Sequence, residues 1–92
     1  MKLRDLVKNL EILEWTAPLD TEISGVSYDS RVTRPGDLFV AIKGFEADGH
    51  KFIPKAVERG AAAVLCEDAP TDGTPYVRVA DCRLGLAYAS RE

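Results

Sequence analysis

Two short apolar runs, Leu38–Ile42 and Ala62–Cys66, constrain this chain more than any other feature. At five residues each they are too short for helices. Their unbroken apolar character fits strands covered on both faces. Between them, Phe52, Ile53, Ala56 and Val57 fall on one helical face. Pro54 is acceptable there only in the first turn, and Gly60 is placed as the C-terminal stop. Strand, helix, strand in this order predicts a right-handed βαβ unit and so a parallel pair of strands.

The flanking segments extend that unit. Leu3, Leu6, Val7 and Leu10 have the spacing of an amphipathic helix. Leu13 and Trp15 follow, and Pro18 with Asp20 marks a connection. Val26 and Tyr28 alternate with small polar residues, which predicts a short strand with one buried face. Arg34-Pro35-Gly36-Asp37 is a strong turn signal, and the loop from Phe45 to Gly49 carries the turn pair Asp48-Gly49. The acidic stretch Glu67–Pro75 reads as a loop, and Tyr76–Val79 as a fourth strand. Asp81 suits an N-cap for a final helix with Leu84, Ala87 and Tyr88 on its inner face. The expected order is helix, strand, strand, helix, strand, strand, helix. The fold class is α/β, a small and mostly parallel sheet with helices on its faces. Ninety-two residues support one core, so 1–92 is read as a single domain. The last helix ends at Glu92 without a glycine stop, so the natural protein is expected to continue.

Charge narrows the function. Fifteen acids against twelve bases give a net charge of −3, without the broad basic footprint of a nucleic-acid binder. No apolar run approaches the roughly 20 residues of a membrane span. The first ten residues mix charge among apolar positions, unlike a signal peptide. The expectation is a soluble, cytoplasmic protein without membrane or nucleic-acid partners. Two cysteines without a CxxC, and a single histidine, lack the ligand types and spacing of a zinc site. Cys66 reads as a small buried hydrophobe, and neither it nor Cys82 is assigned chemistry.

No GxxxxGK[ST] loop and no GxGxxG are present, so neither common phosphate cradle is available. Two loops remain, because α/β folds bind ligands beyond the C-terminal ends of their strands. Asp29-Ser30-Arg31 offers a hydroxyl, a carboxylate and a guanidinium, a set able to hold a phosphate or a sugar hydroxyl. Phe45-Glu46-Ala47-Asp48-Gly49-His50 offers backbone polar groups beside an aromatic ring, able to read the edge and face of a pyrimidine. Purely structural roles compete with these: Asp29 capping a turn, Arg31 pairing with Asp37, Phe45 packing over the sheet, His50 acting as a cap or surface contact. Residues 29–55 carry five bases and four acids, so both loops occupy the least acidic part of an acidic chain. An anionic small ligand is allowed there.

Read together, Val26-Ser27-Tyr28-Asp29-Ser30-Arg31, Arg34-Pro35-Gly36-Asp37-Leu38-Phe39-Val40-Ala41-Ile42-Lys43-Gly44, Asp48-Gly49-His50-Lys51-Phe52-Ile53 and Gly60-Ala61-Ala62-Ala63-Val64 resemble the N-terminal domain of the Mur ligases. The agreement keeps its spacing from about Ile23 to Glu67. The Ser-Tyr-Asp-Ser-Arg wording and the long alanine-rich strand favour the MurE type, and the MurF type shares the DSR, PGDLFVA and DGH frame. The alternative is a stand-alone, non-catalytic α/β interaction module.

The resemblance implies a Rossmann-like domain that holds the UDP end of UDP-MurNAc-L-Ala-D-Glu. It implies a parent ligase of three domains in peptidoglycan precursor synthesis, which uses ATP and Mg²⁺ to add meso-diaminopimelate or L-lysine. Tyr28 and Ser30 occupy positions that contact UDP in the family, and Phe45, Glu46 and Ala47 occupy the loop at the uridine end. Asp29, Arg31 and His50 are secondary candidates. At Glu46 the backbone, not the carboxylate, is expected to face the ligand. The family's ATP-binding loop, metal-binding residues, modified lysine and C-terminal domain have no counterpart in this sequence. This chain is therefore expected to hold no cofactor or metal and no catalytic residue, and to work with the missing ATPase domain as its partner.

Overall fold

The computed structural model describes residues 1–8, 10–42 and 49–80. In chain order these residues form α1 (Leu3–Val7), β1 (Ile12–Trp15), β2 (Gly25–Ser27), β3 (Asp37–Val40), α2 (Ile53–Glu58), β4 (Ala63–Cys66) and β5 (Tyr76–Val79). Short 3-10 turns occupy Ser30–Val32 and Gly49–Phe52. One five-stranded sheet has the order β1-β5-β4-β3-β2. The pairs β2–β3, β3–β4 and β4–β5 are parallel, and β1 is antiparallel to β5.

Strand periodicity divides the core into two layers, because successive side chains leave opposite faces of a sheet. Leu38 and Val40 of β3, Ala63 and Leu65 of β4, and Val77 and Val79 of β5 share one face with Leu3, Leu6 and Val7 of α1. Phe39, Ala41, Val64, Cys66 and Tyr76 face the other side and meet Ile53 and Ala56 of α2. Helices thus cover both faces of β3 and β4, which is why these two runs carry no polar residue. The fold class expected from the sequence is the one found.

α2 begins as predicted, with Pro54 in its first turn. It ends at Gly60, whose φ of +102° is a conformation open to glycine at little cost. The predicted apolar face is narrower than its spacing implies. Ile53 and Ala56 are buried, whereas Phe52 and Val57 remain exposed. Phe52 belongs to the preceding 3-10 turn, whose tighter winding carries it off the helical stripe.

Two further expectations need correction. Leu13 and Trp15 belong to a strand that local pattern did not reveal. β1 pairs with β5 through Ile12↔Val79, Glu14↔Arg78 and Trp15↔Val77, with an irregularity between Ile12 and Glu14. Tyr76 fastens this edge by donating its hydroxyl to Glu14 Oε1 at 2.7 Å. In β2 the buried side chain is Ser27, not Tyr28, which stands 65% exposed. Ser27 is tolerated inside because its hydroxyl pairs with Thr33 Oγ1 at 2.9 Å. The predicted final helix from Asp81, Cys82, and the candidate residues Phe45, Glu46 and Ala47 lie outside the described residues. No helix among the described residues is long and apolar enough to cross a membrane.

Candidate functional site

Beyond the C-terminal ends of β2 and β3 lies an open cleft of about 460 Å³, lined by Tyr28, Asp29, Ser30, Arg31, Ile42, Gly49 and Phe52. Its position follows from the topology, because adjacent parallel strands release their following loops on the same side.

The first wall is a short, self-locked turn. Asp29 Oδ1 accepts from the backbone N–H of Arg31 at 2.9 Å, so the aspartate caps the 3-10 turn Ser30–Val32. The same carboxylate grips the Arg31 guanidinium, with Nη2 at 2.7 Å from Oδ2 and Nε at 3.1 Å from Oδ1. These bonds to Arg31 hold the Asp29 carboxyl down to about 2. Val32 N–H and the Thr33 hydroxyl both donate to the Asp29 carbonyl, closing the turn from beneath. The capping role weighed for Asp29 is therefore realised. The pairing weighed between Arg31 and Asp37 is not, because a neighbour two residues away captures the guanidinium first. Asp37 instead accepts from Arg34 N–H at 2.9 Å within the turn that opens β3.

Ser30 is 7% exposed, yet it lines the cleft and forms no side-chain hydrogen bond among the described residues. No buried side-chain oxygen or nitrogen among the described residues lacks a partner, so the Ser30 hydroxyl still meets solvent through the cleft. A hydroxyl that the fold does not use, at the floor of a cleft, is available to a ligand. Arg31, Lys55 and Arg59 line a smaller depression of about 280 Å³ that shares Ser30, Arg31 and Phe52 with the cleft. Its cationic rim makes the surroundings favourable to anions.

The second wall is the root of the loop after β3. Gly49 N–H donates to the Ile42 carbonyl at 2.7 Å, bringing the two ends of segment 43–48 together. A Cβ at Gly49 would lie 2.7 Å from Ile42 N and 2.8 Å from Ile42 O, so only glycine allows this approach. Phe52 completes the wall, with Lys51 Nζ 5.2 Å from its ring centroid. His50 does not line the cleft. Its Nε2 accepts from the backbone N–H groups of Glu67 and Asp68 at 3.0 and 3.1 Å, the cap-like role weighed for it.

Tyr28, Asp29, Ser30 and Arg31 are thus brought together, and His50 is set apart. Gly49 lay within the loop singled out from the sequence, whereas Ile42 and Phe52, on either side of that loop, were missed. The readable signal for them was their place at the two roots of the loop that follows a buried strand, the rule that selected residues 45–50. Among the described residues no group of three or more His, Cys, Asp or Glu side chains is arranged to hold a metal ion. Cys66 is fully buried, and burial pushes its thiol up to about 12, which suits packing and not nucleophilic chemistry.

This architecture has counterparts among known proteins. The sequence profile of the Mur ligase family, catalytic domain, matches residues 22–91. A UDP-N-acetylmuramoyl-L-alanyl-D-glutamate–2,6-diaminopimelate ligase of Chlorobium phaeobacteroides is 48% identical over 98 aligned positions, covering 100% of this chain and 19% of the relative. A UDP-N-acetylmuramyl-tripeptide synthetase of Roseiflexus is 49% identical, covering 95% of this chain and 18% of the relative. The crystal structure of MurF from Acinetobacter baumannii matches with a TM-score of 0.80 at 29% identity, over 95% of this chain and 19% of that one. The chain therefore spans about a fifth of the length of the relatives it matches. With the profile covering most of its residues, and near-half identity to such relatives over nearly its whole length, this chain belongs to the Mur ligase family and corresponds to its N-terminal region.

Proposed function

We propose that this chain is the substrate-binding N-terminal domain, 1–92, of a MurE-type ligase acting in the cytoplasm, and that its cleft holds the UDP end of UDP-MurNAc-L-Ala-D-Glu. The observation that carries the reading is the unused Ser30 hydroxyl at the floor of a cleft walled by Tyr28 and Phe52. Exposed aromatic rings offer faces to a base, the hydroxyl offers a hydrogen bond, and Lys55 and Arg59 in the adjoining depression supply positive potential toward a diphosphate. Phe45, Glu46 and Ala47 follow β3 in sequence and are the residues proposed to meet the uridine end. Asp29 and Arg31 shape the turn through their mutual ion pair.

Binding UDP far from a reacting carboxylate supplies affinity and positioning, while the chemistry belongs to other domains of the parent. The family implies an ATP- and Mg²⁺-dependent parent enzyme. The residues present do not fit either group, since the sequence has no GxxxxGK[ST] loop and the described residues hold no metal-ligand cluster. No catalytic step is assigned to this chain. A MurF-type parent is the second reading, supported by the fold match. The 48% identity to a diaminopimelate ligase, against 29% to MurF, favours MurE.

Ser30→Ala tests the reading. The hydroxyl makes no side-chain hydrogen bond among the described residues, so the variant is expected to keep its stability within about 0.5 kcal/mol. Its affinity for UDP-MurNAc-L-Ala-D-Glu, measured by calorimetry, is expected to fall about tenfold. A large loss of stability with unchanged affinity would return Ser30 to a purely structural role.

A further inference from the structure

We infer that His50 is a positioning residue for the cleft, acting as a proton-sensitive latch between the loop after β3 and the loop after β4. The inference rests on the cleft being the ligand site. Two consecutive residues tie the returning end of the first loop to the ends of two neighbouring strands. Gly49 N–H reaches the Ile42 carbonyl just past β3 at 2.7 Å. His50 Nε2 receives the N–H groups of Glu67 and Asp68, just past β4, at 3.0 and 3.1 Å. Gly49 and Phe52, on either side of His50 in sequence, line the cleft, whereas His50 lines a separate pocket with Ile53, Pro54, Asp68 and Asp72. His50 thus acts on the ligand through the backbone it anchors.

The bond geometry specifies the protonation state. A ring atom that receives two N–H groups at hydrogen-bond distance must be the unprotonated nitrogen, so the neutral ring carries its proton on Nδ1. The imidazolium has no acceptor and cannot receive either amide. Among the described residues, the charged groups around the ring are Glu67, Asp68 and Asp72 on the loop it anchors, and Lys51 beside it on its own turn; α2 presents the uncharged Ile53 and Pro54. Acidification converts an accepting nitrogen into a donor facing two donors. The latch then opens, and the Gly49–Phe52 wall loses its tie to β4.

The test follows amide exchange at Glu67 and Asp68, and affinity for UDP-MurNAc-L-Ala-D-Glu, between pH 8 and 5, using this chain, His50→Ala and His50→Gln. Across that range the unmodified chain is expected to exchange both amides faster and to bind about tenfold more weakly as pH falls, since two modest hydrogen bonds are lost. His50→Ala should bind weakly at both ends of the range with a flat profile. His50→Gln, whose carboxamide oxygen accepts without titrating, should recover affinity and stay flat. Affinity and pH profile unchanged in His50→Ala would overturn the positioning role, as would amides indifferent to both pH and substitution. If the unmodified chain binds at no pH, the ligand reading fails and takes the positioning role with it. The amide exchange then still decides whether the latch exists.

Discussion

Gly49→Ala probes the point where fold and cleft meet. The new methyl group would sit 2.7 Å from Ile42 N, 2.8 Å from Ile42 O and 3.3 Å from the Ala41 carbonyl carbon. All three are backbone atoms at the end of β3, so no side-chain rotation relieves the overlap. Either the methyl is forced in, at the roughly 1–3 kcal/mol typical of overpacking, or the loop root moves away. In the second case the 2.7 Å Gly49–Ile42 hydrogen bond is lost, worth about 1 kcal/mol net. Both routes predict destabilisation of about 1–3 kcal/mol, a shift of roughly 1 M in the urea midpoint for a small domain. The second route also displaces Phe52, so affinity for the UDP-sugar peptide should fall at least as far. Urea unfolding followed by circular dichroism, with calorimetric titration of the same preparation, measures both. A variant matching the parent chain in midpoint and in affinity would refute the claim that this contact builds the cleft wall.

Three other consequences are open to measurement. Phe39→Ala empties a fully buried position between the sheet and α2. It should cost about 3–5 kcal/mol in unfolding free energy, whereas a loss under about 1 kcal/mol would contradict the packing described. Cys66, with its thiol pushed up to about 12 by burial, should resist alkylation at pH 8 in the folded chain and react once urea unfolds it, as read by peptide mass spectrometry. The Asp29 carboxyl, held at about 2 by Arg31, should remain ionised at pH 4. Its stabilising contribution is then present above the ordinary aspartate range near 3.8 and is lost only as pH falls toward 2. A carboxyl carbon titration with its midpoint near 3.8 would show that the Arg31 grip is absent in solution.

The central strands were legible because burial on both faces leaves a mark that composition cannot hide. β3 and β4 have no polar residue inside their apolar runs, and the Pro54 and Gly60 signals bracket the helix between them. The edges were less legible. β1 exists through pairing with residues more than sixty positions away, and Leu13 and Trp15 stay largely exposed, so no local alternation announces it. At β2, the rule that apolar side chains point inward fails because Thr33 satisfies Ser27, a partner visible only once the chain turns back. At the cleft, the composition of residues 29–31 showed what chemistry was available. It did not show how the ion pair would be divided, since Asp29 and Asp37 are both within reach of Arg31 in sequence. Ser30 is the instructive case. The family resemblance pointed to it as a ligand contact, and its burial without a side-chain partner among the described residues leaves the hydroxyl open to the proposed ligand.

The most direct test of the account is a chemical-shift titration of the isotopically labelled chain with UDP-MurNAc-L-Ala-D-Glu, with UDP alone as control. Saturable shifts are expected to cluster at Tyr28, Ser30, Phe45–Ala47, Gly49 and Phe52, with UDP alone reproducing most of them. Shifts scattered over the sheet edges, or none at millimolar ligand, would contradict a UDP-binding cleft at the ends of β2 and β3.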